Sequence, residues 1–288
     1  MNESNDSIIL IFGGSGFIGK SITNHLNIKY NNKKIIFPSS DECNLEDKNS
    51  ISNFVKSLNN KNLQVVFSAG IVRKQKDSFE TMHKNIAMVE NLLNCLSKYT
   101  IISLIFMSSI DVYENINHKK ITEENLLLPK NYYGFSKMYN ESTIKEKLKN
   151  TNISILRLPG VYGNGKNSLI DTFINRIFYN KTILLENEGK NLRDYLFVVD
   201  LCRIVSSLLI KPSNAIFNIS SGNSTSVLKI VKIIEKLLNK KANLEKKVNH
   251  YTNMNIMISN KKILDHLSNY KFTTIEEGIQ TIVNQILE

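Results

Sequence analysis

The feature that most constrains this chain is a glycine-rich turn between an apolar run and an amphipathic stretch. Every residue of 8–12 is apolar, and the next seven read Gly13-Gly14-Ser15-Gly16-Phe17-Ile18-Gly19. In such a turn the first glycine permits the tight bend, the second lets the backbone approach a pyrophosphate, and the third lets helix and strand pack closely. A helix N-terminus there offers unpaired N–H groups to phosphate. The pattern predicts dinucleotide binding by Gly13, Ser15, Gly16, Phe17, Ile18 and Gly19.

Short apolar runs alternate with amphipathic stretches through the first half of the chain. The predicted strands are 8–12, 34–37, 63–67, 101–107 and 153–158, and the predicted helices are 20–29, 50–58, 84–96 and 135–148. Wholly apolar strands separated by helices indicate a parallel sheet that is buried on both faces. We therefore expect an α/β fold with a doubly wound Rossmann sheet, which binds ligands at the carboxyl ends of its strands.

The pattern loosens after about residue 160, where we predict helices at 169–178, 227–238 and 273–287. This change indicates a dinucleotide-binding Rossmann domain over 1–158. A smaller C-terminal lobe over 159–288 would then be mainly substrate-binding, and some of its segments can return to the sheet.

The net charge of +11 invites a nucleic-acid interpretation. The basic residues are instead spread along the chain as short pairs such as Lys33-Lys34 and Lys119-Lys120, without interleaved aromatic residues. This distribution favours a solvated surface that helps to attract small anions, and we expect no nucleic-acid partner.

Compartment and metal binding are constrained by what the sequence lacks. No apolar run approaches the ~20 residues that a membrane-spanning helix needs, and residues 1–7 carry acids where a secretion signal has Lys or Arg. The cysteines, Cys43, Cys95 and Cys202, are odd in number and widely spaced, which favours a reducing cytoplasmic compartment. Neither they nor the five histidines have metal-ligand spacing, so we predict no metal site.

The end of the second predicted strand reads Phe37-Pro38-Ser39-Ser40, with no acid before Asp41. An acid at this position binds the ribose 2′-hydroxyl of NAD, whereas small polar residues accommodate the 2′-phosphate of NADP. The sequence favours NADP(H), with Ser39 and Ser40 as phosphate donors. If the strand ends one or two residues later, Asp41 takes the NAD role instead.

Tyr133 and Lys137 lie one helical turn apart on a predicted helix. An ammonium group beside a phenol lowers the phenol pKa, which allows proton exchange with a sugar hydroxyl or ketone. Ser109, at the carboxyl end of a predicted strand, is placed to hydrogen-bond the same oxygen. The alternative is that Tyr133 and Lys137 are ordinary residues of a helix surface.

Taken together, these motifs resemble the extended short-chain dehydrogenases/reductases, a family of NAD(P)-dependent nucleotide-sugar epimerases, dehydratases and ketoreductases. The resemblance covers essentially the whole chain and includes segments 43–47, 68–70, 157–163, 193–200, 218–222 and 276–279. It implies further cofactor contacts from Asn44, Leu45, Ala69, Gly70 and Asn85.

The same resemblance implies a role for each residue of the site. Tyr133 is the general acid/base, Lys137 tunes it and holds the nicotinamide ribose, and Ser109 positions the reacting oxygen. Arg193 would clamp the diphosphate of a nucleotide-linked sugar, unless it forms a structural ion pair with Asp194 or Asp200. We interpret Asp200 as structural.

The dehydratases of the family carry two acids before a Val-Tyr pair, and here those positions read Ile110-Asp111. With Ile110 in place of one acid, we expect no dehydration. Asp111 remains a candidate substrate contact, either as a second proton-transfer group or as a strand-end residue bound to backbone.

A 4-ketoreductase and a 4-epimerase both remain open. Three features favour the reductase: the missing acid before Asp41, the short chain, and a similarity of residues 40–47 to GDP-fucose synthases. Its reaction would be the reduction of a nucleotide-linked 4-keto-6-deoxy sugar, in the biosynthesis of sugars for surface polysaccharides. The alternative is an NAD-dependent 4-epimerase. A non-catalytic dinucleotide sensor is a third possibility, against which the complete trio of Ser109, Tyr133 and Lys137 argues. The resemblance also implies a homodimer that pairs through the helices at 84–96 and 135–148.

Overall fold

The computed structural model of the protein describes residues 7–30, 33–59, 62–113, 120–163, 168–247 and 255–287, and all structural statements refer to these. The chain forms two compact units. The first comprises Met1–Glu114, Leu126–Arg157 and Cys202–Phe217, and the second comprises Asn115–Asn125, Leu158–Leu201 and Asn218–Glu288. The predicted division into a Rossmann domain over 1–158 and a mainly substrate-binding lobe over 159–288 stays a prediction.

Strands and helices alternate through the first unit and become shorter in the second. The strands are β1 (Ile8–Phe12), β2 (Ile35–Ile36), β3 (Asn62–Phe67), β4 (Thr100–Ser109), β5 (Lys120–Ile121), β6 (Asn152–Leu158), β7 (Gly160–Tyr162), β8 (Ile183–Glu186), β9 (Leu192–Arg193), β10 (Tyr195–Phe197), β11 (Ala215–Asn218), β12 (Thr225–Ser226), β13 (Leu244–Lys247) and β14 (Met257–Ile258). The helices are α1 (Phe17–Lys29), α2 (Lys48–Ser57), α3 (Phe79–Leu96), α4 (Tyr132–Lys147), α5 (Leu169–Phe178), α6 (Val198–Ile210), α7 (Val227–Leu238), α8 (Lys261–His266) and α9 (Ile275–Leu287).

A six-stranded sheet in the order β11-β6-β4-β3-β1-β2 forms the first unit. β1 pairs in parallel with β2 and β3, and β3 pairs in parallel with β4. The chain therefore leaves β1 for one edge and returns on its other side as β3, which creates a topological switch point beside β1. The predicted Rossmann fold is confirmed, and β11 shows that a late segment returns to this sheet.

The apolar character of the central strands explains their position. All five residues of β1 are buried, so both faces of this strand are covered. Val89, Leu92, Leu93 and Leu96 recur at helical spacing along α3 and are buried. These residues belong to one apolar core that holds the carboxyl ends of the strands in fixed positions.

Helix boundaries follow capping residues more closely than apolar periodicity does. α3 begins at Phe79, five residues before the predicted start, because Ser78 and Thr81 form a reciprocal capping box. α4 begins at Tyr132, where Asn131 caps the helix by accepting a bond from the Gly134 N–H. The sequence analysis did not predict α6, most of whose residues are buried while Arg203 and Ile210 are exposed.

The second unit contains two-stranded sheets and a separate apolar core. β7 pairs with β10, β8 with β13, β9 with β12 and β5 with β14. The core draws on α5, α7 and α9 through residues such as Phe173, Ile234 and Ile282. At the start of α6, the buried Asp200 carboxylate accepts hydrogen bonds from the Tyr270 hydroxyl and from Thr273.

Among the helices of the described residues, none combines the length and the apolar character that spanning a bilayer requires.

Candidate active site

The turn after β1 has a geometry that only glycine satisfies at two positions. Gly13 adopts a φ of +84°, and a Cβ there would lie 2.5 Å from the backbone nitrogen of Ala69. A Cβ at Gly19 would overlap the carbonyl oxygen of Gly13. The first and third glycines thus let the turn, α1 and the end of β3 approach one another.

A cavity of about 570 Å³, which we call the cofactor cavity, opens beside this turn. Gly16 caps α1 without any side-chain hydrogen bond, so the first N–H groups of the helix are left for a ligand. Phe17 and Ile18 are the first residues of α1 and contribute to this helix terminus. The cavity is lined by the predicted residues Gly13, Ser15, Gly16, Ser39, Ser40, Asn44, Leu45, Ala69 and Gly70. The backbone of Gly13 and Gly16, which carries no Cβ atoms and lies next to a helix N-terminus, fits the pyrophosphate of a dinucleotide.

The segment after β2 contains an acid that the sequence analysis did not consider. The Ser39 N–H and hydroxyl both donate to the Glu42 carboxylate, at 2.8 and 3.0 Å. These hydrogen bonds, first from the backbone and then from the side chain, hold the pKa of Glu42 below its usual value. Both serines that we predicted as 2′-phosphate donors line the cofactor cavity, and the N–H and hydroxyl of Ser39 are bound to Glu42.

Asn85 holds in place the loop after β3, which lines the cofactor cavity. Its side-chain oxygen accepts from the Ile71 N–H at 2.8 Å, and its amide nitrogen donates to the Ile71 carbonyl at 2.9 Å. This pair of bonds fixes the loop after β3, where Gly70 adopts a φ of +152°. Asn85 thus shapes the loop that lines the cavity.

The predicted trio lies at the junction of β4 and α4 in the first unit. Ser109 ends β4 and accepts a hydrogen bond from the Asp111 N–H at 3.1 Å. Tyr133, in the first turn of α4, donates its backbone N–H to the Asp77 carboxylate at 3.0 Å. The buried Lys137 donates to the Met107 carbonyl at 2.7 Å, and its Nζ lies 5.6 Å from the centroid of the Tyr133 ring.

The predicted lowering of the Tyr133 pKa is wrong for this structure. Burial raises the pKa of the phenol above its usual value, the charge of Asp111 raises it further, and Arg73 opposes the two effects. Burial lowers the pKa of Lys137 to about 8, although the charge of Glu141 opposes that fall. At neutral pH the phenol is consequently protonated and most Lys137 side chains carry a charge.

Asp111 lies beside this trio in an environment that disfavours its charge. Burial raises the pKa of Asp111, and the Arg73 guanidinium, 3.5 Å away, opposes the rise. Arg73 and Asp77 lie on the loop after β3 and were not predicted as site residues. Their only signal in the sequence is a run of charges shortly after the Ser68-Ala69-Gly70 segment.

Beneath the trio lies a pair of buried charges, Glu141 and Arg157, which we call the buried ion pair. Each is 2% exposed. Arg157 donates from Nε and Nη2 to the two carboxylate oxygens of Glu141, at 3.0 and 2.6 Å. The Ser108 hydroxyl donates to the same carboxylate, and Arg157 Nη1 donates to the Tyr113 hydroxyl. Sequence analysis missed this pair because its members come from α4 and β6.

The predicted diphosphate residue belongs to the second unit. Arg193 ends β9, and its Nη1 donates to the carbonyl of Leu192. The two acids that we considered as its ion-pair partners have other hydrogen bonds. Asp194 accepts from the N–H and hydroxyl of Ser221, and Asp200 is bound as described above. The predicted role of Arg193 stays a prediction.

Within the part of the chain that the structure describes, no three His, Cys, Asp or Glu side chains are placed together so that they could hold a metal ion. Of the histidines weighed in the sequence analysis, His118 and His250 lie outside the described residues.

Curated relatives of the chain are nucleotide-sugar enzymes. A putative UDP-glucose 4-epimerase of Methanocaldococcus jannaschii is 28% identical, over 79% of this chain and 81% of that protein. The dTDP-4-dehydro-6-deoxyglucose reductase of Escherichia coli is 26% identical, over 96% of this chain and 97% of that protein.

Solved structures share the fold. The UDP-glucose 4-epimerase of Thermus thermophilus in complex with NAD has a TM-score of 0.83 at 18% identity, over 97% of this chain and 99% of that one. RMD from Pseudomonas aeruginosa complexed with NADPH has a TM-score of 0.83 at 20% identity, over 96% of this chain and 97% of that one.

Most of the chain also matches a family model. The model of the NAD dependent epimerase/dehydratase family matches residues 9–220, from the start of the sheet to the end of β11. The matched segment includes the glycine turn, the residues that line the cofactor cavity, and Ser109, Tyr133 and Lys137. The resemblance inferred from the motifs is confirmed, and the chain belongs to the NAD-dependent epimerase/dehydratase family.

Proposed function

We propose that this protein is an NAD(P)H-dependent oxidoreductase that reduces the C4 ketone of a nucleotide-linked 4-keto-6-deoxy sugar. The observation that carries the proposal is the arrangement of Ser109, Tyr133 and Lys137 at the end of β4, with the phenol of Tyr133 protonated at neutral pH. The proposal includes the expected role in making sugars for surface polysaccharides.

In this reaction the protein binds the ketone and delivers a proton to its oxygen. The Ser109 and Tyr133 hydroxyls would donate hydrogen bonds to that oxygen, and the phenol proton would neutralise the developing alkoxide. The charged Lys137 would stabilise the resulting phenolate. A bound nicotinamide would supply the hydride, and the cofactor cavity would hold its phosphates at the Gly13–Gly19 turn.

A 4-epimerase is the second candidate, because the relative from M. jannaschii carries that name. Epimerisation begins with oxidation of the sugar hydroxyl, for which Tyr133 must first accept a proton. The same hydroxyl must return that proton in the second half of the reaction, so its protonation state does not separate the two activities. We place reduction ahead of epimerisation because the similarity to the E. coli reductase spans 96% of this chain, against 79% for the M. jannaschii protein.

The test is a spectroscopic screen for oxidation of NADPH and of NADH by nucleotide-linked 4-keto-6-deoxy sugars. We expect net oxidation with at least one sugar, and Tyr133→Phe should lower turnover by about 10²- to 10⁴-fold while cofactor binding is retained. Tightly held NAD, with interconversion of 4-epimers and no net oxidation, would establish the epimerase instead. Turnover that is unchanged in Tyr133→Phe would refute the mechanism for either enzyme, and cofactor binding with no turnover at all would favour a sensor.

We further propose a preference for NADP(H) over NAD(H). Ser40 lines the cofactor cavity, while the donors of Ser39 are bound to Glu42, so we expect Ser40 to contact the 2′-phosphate. Dissociation constants for NADPH and NADH, measured with the natural chain and with Ser40→Ala, test this preference. A tighter complex with NADH in the natural chain would refute it.

We also propose that the protein is a homodimer that pairs through α3 and α4. These helices and their termini expose four aromatic side chains, Phe79, Tyr132, Phe135 and Tyr139. Sedimentation should give a dimer for the natural chain and a monomer for Phe135→Asp. The matched control Tyr179→Asp, at another exposed aromatic residue, should remain dimeric.

A further inference from the structure

Lys137 is a buried cation whose environment only partly supports its charge. Its side chain is 5% exposed, and Nζ lies 4.8 Å from the centroid of the Phe106 ring. One N–H donates to the Met107 carbonyl. Nζ also lies beside Gly70, where a Cβ would be 3.7 Å from it, and Gly70 lines the cofactor cavity. Hence the ammonium sits at the edge of this cavity, and its charge requires support from the protein interior.

Glu141 is placed to give that support, because it follows Lys137 by one turn of α4. A carboxylate on a free side chain would move with solvent, but this one is held by Arg157 through two bonds and by Ser108 through a third. Bidentate binding of a carboxylate by arginine fixes both its position and its charge.

The two ends of the buried ion pair act differently on Lys137. A second buried cation would by itself oppose the charge on Lys137. Arg157 has its charge engaged by the Glu141 carboxylate and also donates to the Tyr113 hydroxyl. The net electrostatic effect at Lys137 comes from Glu141 and favours the ammonium.

We propose that Glu141 is a positioning residue that the buried ion pair holds in place so that Lys137 stays charged and directed at the cofactor. This inference rests on the proposed function, since it assumes that a dinucleotide occupies the cofactor cavity. It assigns to Glu141 and Arg157 a role in cofactor affinity although neither lines the cavity.

Other titratable groups surround Lys137 and have to be separated from Glu141. Tyr133 shares α4, Asp111 and Tyr113 follow β4, and Arg157 comes from β6. From α3, Asn85 approaches the same glycine with an uncharged amide. The test must therefore show both that Lys137 is the group that titrates and that Glu141 sets where it titrates.

The experiment measures the dissociation constants of NADPH and NADH from about pH 6 to about pH 10, on both sides of the Lys137 pKa of about 8. For the natural chain we expect constant affinity at low pH and weaker binding as the ammonium loses its proton. In Glu141→Gln the midpoint should fall by about one pH unit, which is about a tenfold loss of proton affinity at Lys137. The control Glu146→Gln, at an exposed acid on the same helix, should leave the midpoint unchanged.

Two further variants make the result decisive. Lys137→Met should bind weakly with no pH transition in this range, which identifies the titrating group. Glu141→Gln/Arg157→Met avoids an unpaired buried guanidinium, so it serves if the single variant does not fold, and its midpoint should move in the same direction.

The outcomes separate this inference from the proposed function. A midpoint that stays in place while Glu141→Gln weakens binding equally at every pH would mean a purely structural role and would overturn the inference alone. A transition that persists in Lys137→Met would overturn it too. If the natural chain binds neither dinucleotide, the proposed function and the inference fall together.

Discussion

The cofactor cavity and the buried ion pair lie in the same unit but are built in opposite ways. The cavity depends on atoms that are missing, because a Cβ at Gly13 or Gly19 would occupy backbone space. The ion pair depends on atoms that are present, since Glu141 and Arg157 satisfy each other where water cannot. The structure around the cavity is therefore sensitive to added side-chain volume, whereas the structure around the ion pair is sensitive to loss of charge or of a hydrogen bond.

The largest effect on stability should come from breaking the ion pair. Arg157→Met leaves the Glu141 carboxylate buried and unpaired, which should lower the free energy of unfolding by about 3–5 kcal/mol. Urea denaturation measures this change. Lys229→Met is the matched control, because its pair with Glu276 spans 3.6 Å between half-exposed side chains and should be worth less than about 1 kcal/mol. Equal losses in the two variants would contradict the distinction between buried and exposed pairs.

A smaller effect on stability, joined to a loss of binding, should follow from adding one methyl group to the turn. Gly19→Ala forces the turn and α1 apart, and we expect a loss of about 1–3 kcal/mol with clearly weaker binding of NADPH. Gly160→Ala is the control, since its Cβ would meet the Tyr195 ring at an ordinary 3.4 Å. The turn would not be the tight element described here if Gly19→Ala bound NADPH as well as the natural chain does.

The smallest effect should come from the exposed charge of Glu42, which accepts hydrogen bonds from Ser39 in the lining of the cofactor cavity. Glu42→Gln removes a negative charge near the site that we propose for the 2′-phosphate. NADPH should therefore bind about threefold more tightly, and NADH affinity should hardly change. Isothermal titration of the two cofactors provides the measurement, with Glu146→Gln, at an exposed acid of α4 that is not among the lining residues of the cavity, as the comparison variant. An equal gain for NADH would show that the effect is general and unrelated to the phosphate.

The two regions also differ in how far the sequence predicts them. The glycine turn and its strand are local in the chain, so spacing and apolar character were sufficient to place them. The buried ion pair joins residues of α4 and β6, and no periodicity links Glu141 with Arg157. The fold class was predictable because its signals are local in the chain. The ion pair beneath Ser109, Tyr133 and Lys137 was not predictable because its two members are joined only by the folded structure.

The error in the Tyr133 pKa has a related cause. The spacing of Tyr133 and Lys137 correctly placed both on α4. It gave no information on burial or on the approach of Asp111, which together raise the phenol pKa.

The most direct test of the central claim is a crystal structure of the protein with NADPH or NADH bound. The account predicts the pyrophosphate at the Gly13–Gly19 turn, the nicotinamide ribose within hydrogen-bond distance of Lys137 Nζ, and the nicotinamide ring beside the Tyr133 hydroxyl. A dinucleotide bound away from the glycine turn, or a nicotinamide ring remote from Tyr133, would contradict it.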